Sequence, residues 1–237
     1  MHAKNNLMLS GGWAHNFASS APNVIETLSE VGFNTDIVFD IPDSINLLET
    51  KTYDLITVLA CWFQMKDSRY TEQNREIWSR VTTPQWQEAM LRQKNNGAGL
   101  LAMHTATICF DDWNEWPKWI GGSWDWKHSS HPPLCDLNIA PCADHVIVTE
   151  VEPFVIRDER YTNLLKDASS QVILQSLGEN DAQPTLWVNE SKTGRVVYNA
   201  LGHDLVSVSH PAQKLLIKRS ALWACQSADS QIKAITL

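Results

Sequence analysis

The sequence predicts an α/β fold built on a mixed, mainly parallel sheet, and three observations carry that prediction. Short apolar and β-branched runs alternate with helical periodicity through the first half of the chain, the alternation expected of βαβ units. Two of those runs, NNLMLSGG and GLLAMHTA, end abruptly in glycines or a sharp turn. The second half changes to short alternating runs separated by polar turns, which is how antiparallel strands read.

In order, NNLMLSGG reads as a buried strand stopped by Gly11 and Gly12, with GGWAHNF as its exit loop. Pro22 opens a helical pattern that places Val24, Ile25, Leu28 and Val31 on one face and closes at Gly32. FNTDIVFDI and YDLITVLACW follow as the second and third strands, too short and too β-branched for helices. Thr83 and Pro84 are N-cap and N1 signals for a helix through TPQWQEAMLRQKNNG that closes at Asn96 or Gly97. GAGLLAMHTA is then the central strand, with His104 on the turn at its carboxyl edge. From Phe110 to Leu134 five tryptophans are interrupted by Gly and Pro without a long period; such a stretch inside a compact domain predicts a lid with exposed indoles. HVIVTEV, QVILQSL, PTLWVNE and GRVVYNAL read as strands, and HPAQKLLIKRSALWACQ as the closing helix. Residues 1–226 form one predicted domain, and 227–237 a tail.

Composition narrows the function. Nineteen basic against 27 acidic residues give a net charge of −8, which repels phosphate backbones and anionic lipid, so neither nucleic acid nor a membrane is an expected partner. The five cysteines are odd in number and have no C-x-x-C spacing, so neither a zinc ribbon nor a disulfide framework is expected. The amino-terminal stretch holds three consecutive apolar residues, Leu7 to Leu9, too few for a signal peptide; the reading is a cytoplasmic protein with reduced thiols. A chain this long buries enough surface to fold without a structural metal, and any metal would be functional. Walker, G-x-G-x-x-G, H-E-x-x-H and G-x-S-x-G motifs are absent, so no nucleotide cofactor is expected. A small molecule is the expected partner, with homo-oligomers left open.

In an open α/β sheet the ligand crevice lies beyond the carboxyl ends of the strands. Those ends carry His15, Cys61 with Trp62, His104, and His203 with Asp204. Imidazoles there could act as acid, base or metal ligand; His15, His104 and His203 are the candidate ligands of a divalent metal such as zinc. Asp158 and Glu159 in RDERY supply carboxylates, although Arg157 and Arg160 would equally make that segment a solvated charged turn. HSSHPP places His128 and His131 on a rigid loop as substrate-binding candidates. Indole faces stack on sugar C–H faces, so Trp13, Trp62 and Trp126 join them as candidate carbohydrate platforms; packing in the core is the competing fate.

At GGWAHNF, GLLAMHTATICF, SSHPP, RDERY and GRVVYNALGHDLVSVSHP the chain resembles the ThuA-like, trehalose utilisation family, related to class I glutamine amidotransferases. The resemblance spans residues 5 to about 226. It implies a flavodoxin-like, three-layer sandwich with an elbow after the central strand. Amidotransferases carry a nucleophilic Cys at that elbow; here His104 stands there, and His203 matches the late-strand His. Imidazole cannot form the thioester of amide transfer. The implied role is a hydrolase or lyase acting on a sugar or keto-sugar, with His104, His203, Asp158 and Glu159 as catalytic groups. Two alternatives stay open: a non-catalytic sugar-binding or regulatory module, and a Cys-dependent amidase-like hydrolase using Cys61 or Cys109.

Overall fold

The structure, a computed structural model, describes residues 3–191 and 193–237. Strands β1 (Lys4–Gly12), β2 (Phe33–Val38), β3 (Leu55–Cys61) and β4 (Gly99–Met103) are joined by helices α1 (Phe17–Ser29), α2 (Ile41–Thr50), α3 (Glu72–Trp78) and α4 (Pro84–Asn95). Helix α5 (Glu115–Ile120) and strand β5 (Gly122–Ser123) lie in the Trp-rich segment. Strands β6 (Cys135–Pro141), β7 (Phe154–Asp158), β8 (Leu165–Lys166), β9 (Gln171–Leu177), β10 (Ala182–Ser191) and β11 (Gly194–Asn199) follow, then α6 (Leu205–Val208), α7 (Pro211–Ala224) and α8 (Asp229–Lys233).

Nine strands form one sheet in the order β2-β1-β3-β4-β11-β10-β9-β6-β7. Pairings from β2 through β11 are parallel and those from β11 to β7 antiparallel. Two reversals restore direction, so β9 and β7 run the same way as the parallel strands. The carboxyl end of β7 therefore faces the same edge as those of β1, β4 and β11, and this places the site.

Strand periodicity divides the core. Met8, Leu101 and Val197 point to the layer of α1 and α7, where Val24, Leu28 and Leu216 receive them. Leu7, Leu9, Leu100 and Ala102 point to the layer of α2 and α4, against Leu48, Trp86 and Met90. Trp86 Nε1–H donates to Ser44 Oγ at 2.8 Å and ties α4 to α2. The result is the expected three-layer arrangement. No helix among the described residues is long and apolar enough to cross a membrane.

Several elements differ from the sequence reading. Helix α1 begins at Phe17, so Pro22 lies inside it. Helix α2 was not expected, although Asp40 caps it and Pro42 occupies its first turn; nor was α3, opened by a Thr71/Asn74 capping box. HVIVTEV is not a strand: the His145 ring accepts from Ile147 N–H and winds Val146–Val148 into a single 3₁₀ turn. The tail is docked. Ile232 of α8 is buried and the Arg219 guanidinium donates to the Ile235 carbonyl at 3.0 and 2.7 Å. The Trp-rich segment is mostly core: Trp113, Trp116 and Trp119 pack with Phe110 and Trp86, since the turn before a short helix and the helix itself, not a lid, present them inward.

Candidate functional site

The elbow after β4 is strained. His104 has φ +48°, a left-handed conformation uncommon outside glycine. Its surroundings hold it there: Tyr198 O–H donates to the His104 carbonyl at 2.8 Å, and Thr105 Oγ1–H donates to the Ala60 carbonyl at 2.6 Å. The backbone bend aims the imidazole across the sheet edge. The loop after β1 brings His15 to the same place, because Gly12 turns at φ +110° where a Cβ would lie 2.3 Å from the Cys61 carbonyl oxygen. Gly202, at φ +134°, turns the chain after β11 and presents His203.

The imidazoles converge. His104 Nδ1–H donates to the Ala200 carbonyl at 2.8 Å and His15 Nδ1–H to the Trp13 carbonyl at 3.0 Å. A carbonyl only accepts, so both Nδ1 atoms carry the hydrogen, and in its neutral form each ring presents its one lone pair at Nε2. Those two Nε2 atoms are 3.0 Å apart. The Tyr161 hydroxyl lies 3.1 Å from His104 Nε2, within reach of the single in-plane lone pair of that nitrogen, the same one that faces His15. His203 Nδ1 is buried without a hydrogen-bond partner, although Glu159 Oε1 lies 3.3 Å away. Glu159 Oε2 is 3.4 Å from His104 Nε2. One ligand atom from each of His15, His104, Glu159 and His203 fits within 4.8 Å of the others.

Electrostatics separates the roles. Burial, and then the neighbouring charge of His104, lowers the His15 imidazole to about 3, so His15 is a neutral lone-pair donor. The Glu159 carboxylate holds His203 above its ordinary value, against a cost of burial. Burial opposes ionisation of Glu159, yet the bonds and charges of His104 and His203, with His131, outweigh it and hold the carboxyl below the usual range. Burial keeps the Tyr161 phenol well above its ordinary value, hence a neutral donor.

Not every candidate lies in this crevice. Trp13, His15, Glu159, His203 and His131 line it, with His131 Nδ1 3.4 Å from Glu159. Asp158 does not: it is fully buried behind His104 and accepts from Glu159 N–H at 2.7 Å, Gly202 N–H at 2.8 Å and Ser207 Oγ–H. Its burial argues against the catalytic contact expected of it, and two of its three bonds fix the backbone that carries Glu159 and leads into His203, the arrangement of a positioning residue. Asp204 caps α6 by accepting from Ser207 N–H at 3.0 Å and is not among the residues that line the crevice. Trp62 is buried against Phe110 on the far side of β3. His128 is exposed and paired with Asp125 at 2.6 Å. Trp126 stacks on Phe63 behind the crevice wall. Burial pushes the Cys61 thiol up to about 12 and Cys109 well above its ordinary value, so neither is a ready nucleophile and the amidase-like alternative loses its chemistry. Sequence reasoning missed Tyr161, Phe63 and Tyr70. Tyr161 carried a usable signal: it lies two residues after Glu159, the spacing that puts two side chains of an extended segment on one side.

Known proteins agree with this architecture. The chain is similar to a ThuA-like protein of Parabacteroides merdae ATCC 43184, with a TM-score of 0.70 and 16% identity over 94% of this chain and 90% of that one. A ThuA-like protein of Bacteroides uniformis ATCC 8492 superposes with a TM-score of 0.62 at 16% identity, covering 94% and 91%. A cytoplasmic protein of Salmonella typhimurium LT2 gives 0.60 at 14% identity, covering 94% and 97%. At these identities the likeness is one of fold. No curated protein matches the sequence. A family model described as ThuA, trehalose utilisation, matches residues 5–224, and the chain belongs to that family.

Proposed function

We propose that the chain is an enzyme of carbohydrate metabolism, a hydrolase or lyase acting on a neutral sugar or keto-sugar in the crevice above His104, with one divalent metal held by His15, His104 and His203. The observation that carries the reading is the pair of Nε2 lone pairs fixed 3.0 Å apart by Nδ1–carbonyl bonds. Two bare acceptors at that distance repel, and either a proton or a metal cation between them removes the repulsion. Nitrogens about 2.0–2.1 Å from a tetrahedral zinc are roughly 3.3 Å apart, close to the spacing here, and His203, whose ligand atom falls in the same cluster, would offer a third nitrogen when neutral. Zinc bound there would polarise a substrate oxygen and acidify bound water.

The chain's own groups supply the rest. Glu159, kept ionised by the imidazoles around it, accepts the proton of the attacking water or of a substrate hydroxyl. The Tyr161 O–H, released from His104 Nε2 when that nitrogen is otherwise engaged, donates to oxygen that gains charge as the bond breaks. Trp13, Phe63 and Tyr70 supply aromatic walls for a sugar ring. The free thiols and the Salmonella relative support a cytoplasmic setting.

The test is elemental analysis of protein purified without a histidine tag, followed by turnover assays on disaccharides and their 3-keto forms. The expected result is an equimolar divalent metal, lost in His104→Ala, and turnover abolished by chelation. Full turnover without metal would reduce the reading to acid–base chemistry by the imidazoles and Glu159. Calorimetric binding without turnover would make the chain a sugar-binding module.

A further inference from the structure

The crevice above the histidines has a volume of about 180 Å³. Beside it is a second pocket of about 190 Å³, between the loop after the elbow and the Trp-rich segment. Its walls include Phe110, Trp113, Trp124 and Trp126, with Asp111 and Asn114 exposed at its rim. Ile108 lines both pockets, and Trp124 stands between them, its ring edge-on to Tyr161 at 5.3 Å. Either pocket alone is smaller than the ~300 Å³ at which small-molecule sites usually begin. Together, at about 370 Å³, they reach it.

We infer that the second pocket is the subsite for the second ring of a neutral disaccharide whose first ring occupies the histidine crevice, an inference that rests on the carbohydrate reading of that crevice. Indole and phenyl faces suit the C–H faces of a pyranose, while the Asn114 amide and the Asp111 carboxylate suit its hydroxyls. Neither lining contains a Lys or Arg, so nothing there favours a phosphorylated sugar. Trp124 supplies an independent sign of an absent partner: it is 8% exposed and its Nε1–H is buried without an acceptor. A buried indole N–H normally finds a partner, and a ring hydroxyl entering this pocket would be one.

The experiment is calorimetry with glucose, trehalose and 3-keto-trehalose on the wild-type chain, Trp124→Phe and Asn114→Ala. Trp124→Phe keeps an aromatic ring beside Tyr161 but removes the N–H together with the rest of the indole's second ring; Asn114→Ala changes an exposed rim residue, leaves the aromatic wall intact, and serves as the test if the first variant fails to fold. We expect the better-bound disaccharide to bind the wild type about ten-fold more tightly than glucose, and each variant to lose several-fold of that preference with the glucose Kd unchanged, as loss of a hydrogen bond predicts. A wild type that binds glucose as tightly as either disaccharide, or variants that keep the full preference, would overturn the second subsite and leave the carbohydrate reading standing. Binding of none of the three sugars would overturn both.

Discussion

The histidines at the sheet edge and the tryptophans that follow them meet opposite fates. His15, His104 and His203 come from loops spread over nearly two hundred residues of sequence and meet with one ligand atom of each within 4.8 Å of the others. The tryptophans are close neighbours in sequence, and most vanish into the core, with Trp116 1% exposed. Topology explains the first outcome: a residue just past the carboxyl end of a parallel strand has one edge to occupy. Packing explains the second, because where an indole in an irregular segment points depends on its neighbours rather than on its own position.

The sharpest way to break that contrast is to remove one member from each side. His104→Asn tolerates the left-handed backbone and should cost about 10³-fold or more in turnover, with about 1–2 kcal/mol of stability lost through the Ala200 carbonyl's weaker partner. Trp116→Ala should do the reverse. It opens a cavity among Phe110, Trp113 and Trp119 worth about 3–5 kcal/mol, lowering Tm by roughly 10 °C, while turnover per folded molecule falls several-fold at most, through the neighbouring pocket that Trp116 also lines. Paired turnover and thermal-melt measurements decide it; a Trp116 variant inactive at full stability would place that indole in the site.

The same contrast shows what was legible. β1, β3, β4 and β11 could be read from apolar runs, and with them the three histidines. β7 could not, because FVIRD is short and follows a segment that reads as a strand but folds as a 3₁₀ turn. Without β7, RDERY stayed a charged turn with two equivalent carboxylates. The structure separates them: in β7 Asp158 points inward with Ile156, and Glu159, one residue on, reaches the crevice. Asp204 and Trp62 misled for a related reason, since sequence adjacency to a strand end does not say which way a side chain points.

Asp158 tests the positioning argument one step smaller. Asp158→Asn keeps the volume but sets an amide against the Gly202 and Glu159 N–H groups. Turnover should fall about 10–100-fold, the range for groups that orient ligands, with KM and the metal content of the protein less affected. Rescue by Asp158→Glu would require the chain to tolerate an added methylene at a fully buried position, so that variant should be worse, not better. If Asp158→Asn retains full turnover, the orientation of Glu159 and His203 does not depend on it.

A smaller effect concerns proton linkage in metal-free protein. His15 ionises near 6.5 when unfolded and near 3 when folded, so between those values the unfolded chain binds the extra proton. Stability contributed by the neutral His15 is therefore complete above pH 6.5 and is lost as pH falls toward 3. His203, shifted upward, has the opposite sign: its contribution is present below pH 6.5 and fades as pH rises through its raised folded value. Denaturant unfolding across this range should show a slope that His15→Ala flattens below pH 6.5. An unchanged slope would mean that other carboxylates and imidazoles dominate the acid limb.

Trp126 is the intermediate case, and the smallest expected effect. It is half-buried, stacked on Phe63 at 5.6 Å and edge-on to Tyr70 at 6.3 Å, and those two rings form the crevice wall. A platform role predicts weaker sugar binding at constant Tm, whereas a core role predicts the reverse. The stacking geometry predicts a mixture: Trp126→Ala should lose about 0.5–1.5 kcal/mol of stability per aromatic pair removed and, by freeing Phe63 and Tyr70, weaken sugar binding two- to five-fold. Because Arg69 lies over the indole at 5.7 Å and is paired with Asp67 at 2.9 Å, Arg69→Ala should leave binding nearly unchanged. A loss of binding in the arginine variant as large as in the tryptophan variant would assign the effect to charge at the crevice mouth instead of to the aromatic wall.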